Sequence, residues 1–218
     1  MKQMKQVLLL PLILTLPAFA GEPAPAPAPN PCLLKWFAGG SVGYLTNLEE
    51  PMYNIHLGAT NSCWKFSGWD VSMFGEVGYT STDESFYDPY RPFSNNFYDI
   101  DVDVDIIPVT FNVKLERAIS GNLSSYIGAG IGAAYISLDA NSQDPFGDDS
   151  DSTWVFTGQV FAGLIYKVNP SFEIYGGARW IYFADPDFSV NYGIDPQNVD
   201  SLVENNDCLL EIGLRYNF

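Results

Sequence analysis

From Leu34 onward, hydrophobic and polar residues alternate with period two, and no stretch sustains a helical period. Clusters of turn-forming residues separate these runs. The pattern predicts eight strands, at 34–46, 52–60, 70–80, 99–116, 123–138, 153–167, 172–184 and 207–218. The last is the clearest: Cys208, Leu210, Ile212, Leu214, Tyr216 and Phe218 share one face, and Glu211, Arg215 and Asn217 the other. In 172–184, Phe172, Ile174, Ala178, Trp180 and Tyr182 lie opposite Glu173 and Arg179; in 70–80, Val71, Met73, Val77 and Tyr79 lie opposite Glu76. The segment 99–116 changes phase. Asp99, Asp101, Asp103 and Asp105 alternate with Ile100, Val102, Val104 and Ile106, but beyond Pro108 the apolar set becomes Val109, Phe111, Val113 and Leu115. Proline cannot donate to a ladder, so the pattern predicts a β-bulge near Ile107-Pro108 that resets the register. The small residues of 123–138 do not declare a face.

Alternation alone does not say which face is inside, since a soluble lipocalin-like barrel alternates too, with its apolar face inward. Charge decides. The strand cores hold only Glu76, Lys114, Glu116, Glu173, Arg179, Glu211 and Arg215. These are too few to solvate an outer surface but suit a narrow lumen. Aromatic residues stand near both ends of the apolar faces, as Phe172 and Tyr182 or Trp36 and Tyr44 do, where two bilayer interfaces would lie. The fold class is therefore all-β: an eight-stranded antiparallel up-and-down transmembrane β-barrel. With the N-terminus periplasmic, the external loops are 47–51, 81–98, 139–152 and 185–206, and the periplasmic turns 61–69, 117–122 and 168–171. Short periplasmic turns with long external loops are the outer-membrane pattern.

Ahead of the barrel, Lys2 and Lys5, an apolar run from Val7 to Leu16, and Ala18-Phe19-Ala20 predict a secretory signal peptide over 1–20. Alternating prolines make 21–33 an extended periplasmic tether. The barrel domain is 34–218.

Three runs then carry a resemblance: Ile106-Ile107-Pro108-Val109-Thr110, Tyr126-Ile127-Gly128-Ala129-Gly130-Ile131-Gly132, and the ending Leu214-Arg215-Tyr216-Asn217-Phe218. The chain resembles the small eight-stranded outer-membrane barrels, the OmpA/OmpX and opacity-type surface-protein group. The resemblance implies the outer membrane of a Gram-negative-type bacterium. It also implies that Leu214, Tyr216 and Phe218 form a signal for the outer-membrane assembly machinery. The ending at Phe218 reads as a barrel without the peptidoglycan-binding domain that follows some of its kind.

The chain carries 10 Lys+Arg against 26 Asp+Glu, a formal net charge of −16, which disfavours nucleic acid as a partner. Most of the acids fall on the external side: Glu49 and Glu50, and the stretches Asp83 to Asp105, Asp139 to Asp151 and Asp185 to Asp207, opposed only by Arg91. One reading is a solvated crown. The other is Ca²⁺ or Mg²⁺ at external loops, bridging to anionic lipid, with Asp144, Asp148, Asp149 and Asp151 the best cluster. No cofactor is required. Partners are outer-membrane lipid, the assembly machinery and cationic or cation-bridged external molecules; a monomer is expected.

Facing the lumen, Glu76, Lys114, Glu173, Arg179, Glu211 and Arg215 are expected to form a charge network, with His56 and Gln159 as further polar side chains. Antiparallel pairing of the last two strands can set Glu173 opposite Arg215 and Arg179 diagonal to Glu211. A charge-plugged lumen is one reading, and a small pore for minor solutes the other. His56, the single histidine, is followed by Leu57-Gly58 with no adjacent Ser, so the expected role is non-enzymatic. Cys32 and Cys63 fall at the periplasmic end and could bridge, or all three cysteines could be free; Cys208 falls at the opposite end.

Overall fold

The computed structural model describes residues 32–87, 99–142, 149–185 and 205–218. The predicted signal peptide, residues 21–31 of the tether, Asp144 and Asp148 lie outside them. The described residues form β1 (Leu34–Leu45), β2 (Pro51–Phe66), β3 (Trp69–Tyr87), β4 (Asp99–Ser120), β5 (Leu123–Ser142), β6 (Asp149–Lys167), β7 (Phe172–Phe183) and β8 (Asn206–Asn217). Each strand pairs antiparallel with the next, and β1 pairs with β8, which closes the barrel. Closure leaves no unpaired edge around the ring that all eight strands share, as a backbone surrounded by hydrocarbon requires.

Side chains alternate inward and outward along each strand. Outward stand Ile55, Leu57, Val77, Phe111, Ile131, Val160, Ile212 and Leu214, all exposed. Inward stand Asn54, His56, Glu76, Asn112, Lys114, Gln159, Arg179 and Arg215, all buried. An apolar exterior around a polar interior is the inside-out arrangement of a membrane-spanning barrel. Exposed aromatics rim both ends of this band: Trp36, Phe66, Tyr166, Tyr216 and Phe218 at the end bearing Leu34 and Phe218, and Tyr44, Tyr53, Tyr79, Trp154 and Trp180 at the other.

The bulge expected near Ile107-Pro108 does not form. β4 keeps one register against β3 from Asp99 to Glu116, and one against β5 from Ile100 to Ala118. From Val102 to Lys114 its even-numbered residues face inward, first Val102, Val104 and Ile106, then Thr110, Asn112 and Lys114. The phase change is therefore a change of surroundings rather than of register. Below Pro108 the strand runs through hydrocarbon, so Val109, Phe111 and Val113 point out and polar groups point in. Above it the strand stands in water, so Asp103 and Asp105 point out and the apolar residues form a core.

The same reversal corrects the predicted loops 81–98 and 139–152. β3 runs on to Tyr87, β5 to Ser142, and β6 starts at Asp149. A spanning strand needs about 9–11 residues. β1, β7 and β8 have 12, whereas β3 to β6 have 19 to 22. Half of the wall thus rises beyond the membrane as an ordinary water-facing sheet. Its inner face, with Val102, Val104, Ile136, Leu138 and Val155, packs with Leu45, Met52, Ile181, Phe183 and Leu209 into one apolar cluster.

The turns at the other end are short. Ser67 and Gly68 both have positive φ (50° and 84°), as a type I′ hairpin turn demands. This tight turn replaces the predicted 61–69 loop. β2 reaches Phe66 through a register shift between Asn61 and Lys65, so Cys63 lies within a bulged strand. Gly121 (φ 50°) leads the β4–β5 turn. At 168–171 the Asn169 carboxamide accepts the N–H groups of Ser171 and Phe172, both at 2.9 Å. At the opposite end, Asp207 is buried rather than part of a solvated crown: its carboxylate accepts the N–H groups of Asn47 and Leu48 and fixes the β1–β2 loop.

The reversal at Pro108 can be tested by charge scanning. Phe111→Arg, on the lipid face, should cost about 2–4 kcal/mol in urea unfolding from vesicles. Asp83→Arg, on the outward face of the extension and opposite Asp103, should leave stability unchanged or raise it by up to about 1 kcal/mol. Equal losses would place both residues in the same medium.

Candidate functional site in the barrel lumen

Eight strands leave an interior only as wide as the side chains that fill it. Here the filling is layered. Beneath the apolar cluster, Arg179 (3% exposed) reaches from β7 to Glu76 on β3 and Glu211 on β8. Its Nη2 donates to both Glu211 oxygens at 3.1 Å and to Glu76 Oε2 at 3.2 Å; its Nη1 donates to Glu76 and to Gln159 Oε1 at 3.0 Å. The Gln159 amide in turn donates to Asn112 Oδ1 (2.6 Å), Glu76 Oε1 (3.2 Å) and Thr110 Oγ1 (3.2 Å). Ser41 donates to Glu211 at 3.0 Å, and Asn54 donates to Ser41 at 3.4 Å. One connected network therefore takes side chains from β1 to β4 and from β6 to β8. β5 contributes Gly130 instead, where an added Cβ would collide with the Asn112 carboxamide.

Next comes an aromatic layer of Phe37, Phe74, Tyr126 and Phe161, with Ile165 and with Tyr175 against it. Glycines on neighbouring strands make room for these rings. A Cβ at Gly163 or Gly177 would meet the Tyr126 hydroxyl, and one at Gly128 the Phe161 ring. His56 belongs to this layer, with ring centroids 5.5 Å from Phe74, 5.8 Å from Tyr175 and 6.0 Å from Phe37. It lies directly across the ladder from Glu76, whose carboxylate Arg179 and Gln159 occupy.

A second charged layer closes the terminal end. Arg215 is ion-paired with Glu173, its register partner on β7, and with Glu116 on β4. Lys114 Nζ stands 3.0 Å from Glu116 and within 5.4 to 5.6 Å of the Phe37, Phe74 and Tyr126 ring centres. Three cations thus meet four carboxylates in two clusters, and every one of these seven groups has an opposite charge beside it.

The six charges singled out from the sequence all lie in these clusters, but in two groups. Arg179, Glu76 and Glu211 form one; Arg215, Glu173 and Lys114 form the other. Glu116, one of the strand charges but not of the expected network, shares its inward parity with Lys114 and joins Lys114 to Arg215. Asn112, of the same parity, was also missed.

Elsewhere, a disulfide joins Cys32 to Cys63 with Cα atoms 5.1 Å apart, and Cys208 is free. Leu214, Tyr216 and Phe218 point outward. Of the four acids considered for a cation, Asp149 opens β6 and Asp151 is half-buried on it; Asp144 and Asp148 lie outside the described residues. Among the described residues, no group of three or more His, Cys, Asp or Glu side chains is disposed to hold a metal ion.

Removing one partner from a buried ion pair strands the other charges at a cost of about 3–5 kcal/mol. Arg179→Leu should therefore destabilise the barrel by about that amount in urea unfolding. Adding Glu76→Leu and Glu211→Leu should recover most of the loss. A triple variant as weak as the single one would mean that packing, not charge, sets the cost.

Residues 7–218 match the outer membrane protein beta-barrel domain family. No curated protein sequence matches the chain. Among solved structures, a major outer membrane protein from Thermus thermophilus is similar at 12% identity, covering 85% of this chain and all of that one, with TM-score 0.60. Neisserial surface protein A is similar at 16% identity (85% and 97% covered, TM-score 0.47). The outer membrane enzyme PagL is similar at 18% identity (84% and 98% covered, TM-score 0.41).

Proposed function

Since the chain belongs to the outer membrane protein β-barrel family and resides in the outer membrane of a Gram-negative-type bacterium, we propose that it is a non-enzymatic surface barrel. Its lumen is a plug, and its acidic outer end makes the contacts. The carrying observation is the Arg179 network, which takes side chains from β1 to β4 and from β6 to β8 and lies under a continuous apolar cluster. A permeant ion would have to break buried ion pairs and then cross apolar side chains, and both steps are costly. The single histidine sits inside the aromatic layer of this plug, with its Nδ1 unpartnered, rather than beside an external loop where a bulky substrate could reach it.

The experiment is planar-bilayer conductance of the folded barrel in high salt. A silent bilayer, with folding verified by heat-modifiable gel mobility, is the expected result. Stable steps of uniform size, altered by Arg179→Ala or Glu211→Ala, would make the lumen a conduit and overturn the reading.

At the outer end, Asp83, Asp103 and Asp139 fall in one cross-strand row over β3, β4 and β5 on the exposed face. Like charges directly opposite one another weaken a sheet. These three are not disposed to hold one ion together, but the density of negative charge they mark favours divalent cations spread over the crown, bridging it to the anionic lipid around it. Millimolar Ca²⁺ should then raise the melting temperature by several degrees; an unchanged melting curve leaves the crown as solvated surface only.

A further inference from the structure

Cys32 and Cys63 stand in the register of the first hairpin. The β1–β2 ladder ends at Leu34↔Asn61, and each cysteine lies two residues beyond that pair, so the two face each other directly. Their Cα separation of 5.1 Å is that of opposed residues in an antiparallel pair. The bridge thus extends the register of the ladder at the end that the short turns place in the periplasm.

This register needs a fixed point. β1 holds Gly39, Gly40 and Gly43, with Ala38 and Ser41, among its 12 residues, and glycine-rich strands specify their pairing weakly. A slip of two residues would keep every side chain on its own face, so the alternation does not oppose it. In the finished barrel other strands do. The His56 ring lies over Gly39 and the Phe37 ring over Gly58, with Phe74 of β3 against both rings and Tyr175 of β7 against His56. At the other end of the hairpin the β1–β2 loop is held by Asp207 of β8, 160 residues beyond Asn47. These supports wait for β3, β7 and β8, and β8 reaches β1 only when the ring closes. The disulfide needs only the two strands that it joins.

We infer that the Cys32–Cys63 bridge is a register lock, formed before the barrel closes, that fixes β1 against β2 and so sets the seam where β8 docks. A closed ring of strands has one total stagger, so a slipped first hairpin would carry its error to the β1–β8 seam. Forming the bridge removes two electrons from the two thiols, and a disulfide-bearing oxidant of the periplasm accepts them. The thiolate of one cysteine attacks the oxidant's disulfide, which gives a mixed disulfide and frees one oxidant sulfur. The thiolate of the other cysteine then displaces the second oxidant sulfur. The oxidant leaves as a dithiol carrying both protons.

The test is refolding from urea into phosphatidylcholine vesicles, followed by heat-modifiable gel mobility, with Cys208→Ser throughout so that a single pair can form. Without the bridge, in Cys32→Ser/Cys63→Ser, folding should slow by about ten-fold. Reductant added after folding should leave the folded band in place; its loss would make the bridge a brace of the finished barrel and overturn the inference. Two relocated bridges in the Cys32→Ser/Cys63→Ser protein, each oxidised in urea before folding, separate a register lock from a plain chain staple. Leu34→Cys/Asn61→Cys keeps the register and should restore the fast rate. Leu34→Cys/Ala59→Cys closes a loop of nearly the same length but two residues out of register. It should block folding, and its reduction should release folding at the unbridged rate, which shows that the substitutions themselves are tolerated. Equal rates with the two relocated bridges would overturn the inference. So would an in-register bridge that folds no faster than its own reduced form.

Discussion

Arg179 is the group on which most of the lumen depends. Its guanidinium is permanently charged and has five N–H donors to satisfy. Between the apolar cluster above it and the aromatic layer below, its Nη groups find their partners in the chain, while its Nε–H is buried without one. Glu76 and Glu211 supply carboxylates and Gln159 a carbonyl. Each partner is then tied in turn, Gln159 to Asn112 and Thr110, Glu211 to Ser41. Because these residues come from opposite walls, the network ties the cross-section of the barrel together as well as pairing the Arg179 charge. The glycine opposite Asn112 follows from the same crowding: a lumen filled to contact leaves no space for a side chain on every strand.

The fold was legible because an inside-out barrel and its alternation are the same fact seen twice. Few charges in the strands, aromatics at both ends and short turns at one side leave an apolar exterior as the sole consistent arrangement. What misled was an assumption that one rule of burial holds along a whole strand. From Asp99 to Ile106 the alternation is that of a water-soluble sheet; from Val109 it is that of a lipid-facing one. A shift of phase in sequence is therefore either a slipped register or a crossed interface, and the pattern alone does not separate them. The registers of β4 with both neighbours do. The extended ends of β3, β5 and β6 read as loops in the sequence for the same reason, since their acidic residues resemble loop composition when an apolar exterior is assumed.

In the lumen, legibility followed distance along the sheet. Glu173 and Arg215 face each other across neighbouring strands, and the alternation on those two strands nearly dictates the pair. Arg179 and Glu211 lie one diagonal apart on the same two strands. The Arg179–Glu76 pair joins β7 to β3, which touch only through the hollow of the barrel. That contact depends on shear and diameter, which no local pattern records. Glu116 was recoverable, because its inward parity and its place two residues from Lys114 were in plain view. Asn112 was hidden by its lack of charge, although in a packed lumen a neutral carboxamide is as constrained as an ion.

The charge distribution and the polarity reversal together give the barrel a direction. At the outer end the strands outrun the membrane, so their outward face must be wettable, and Asp83, Asp103, Asp105 and Asp139 make it so. At the inner end the strands stop at the interface, and there is no wall left to solvate. Charges there must lie at the mouth or along the rim, where Lys65 pairs with Asp70 and the Arg117 guanidinium stands over the Trp69 ring. The two ends are thus different solutions to different solvents, joined by a lumen in which each charged group has an opposite charge beside it.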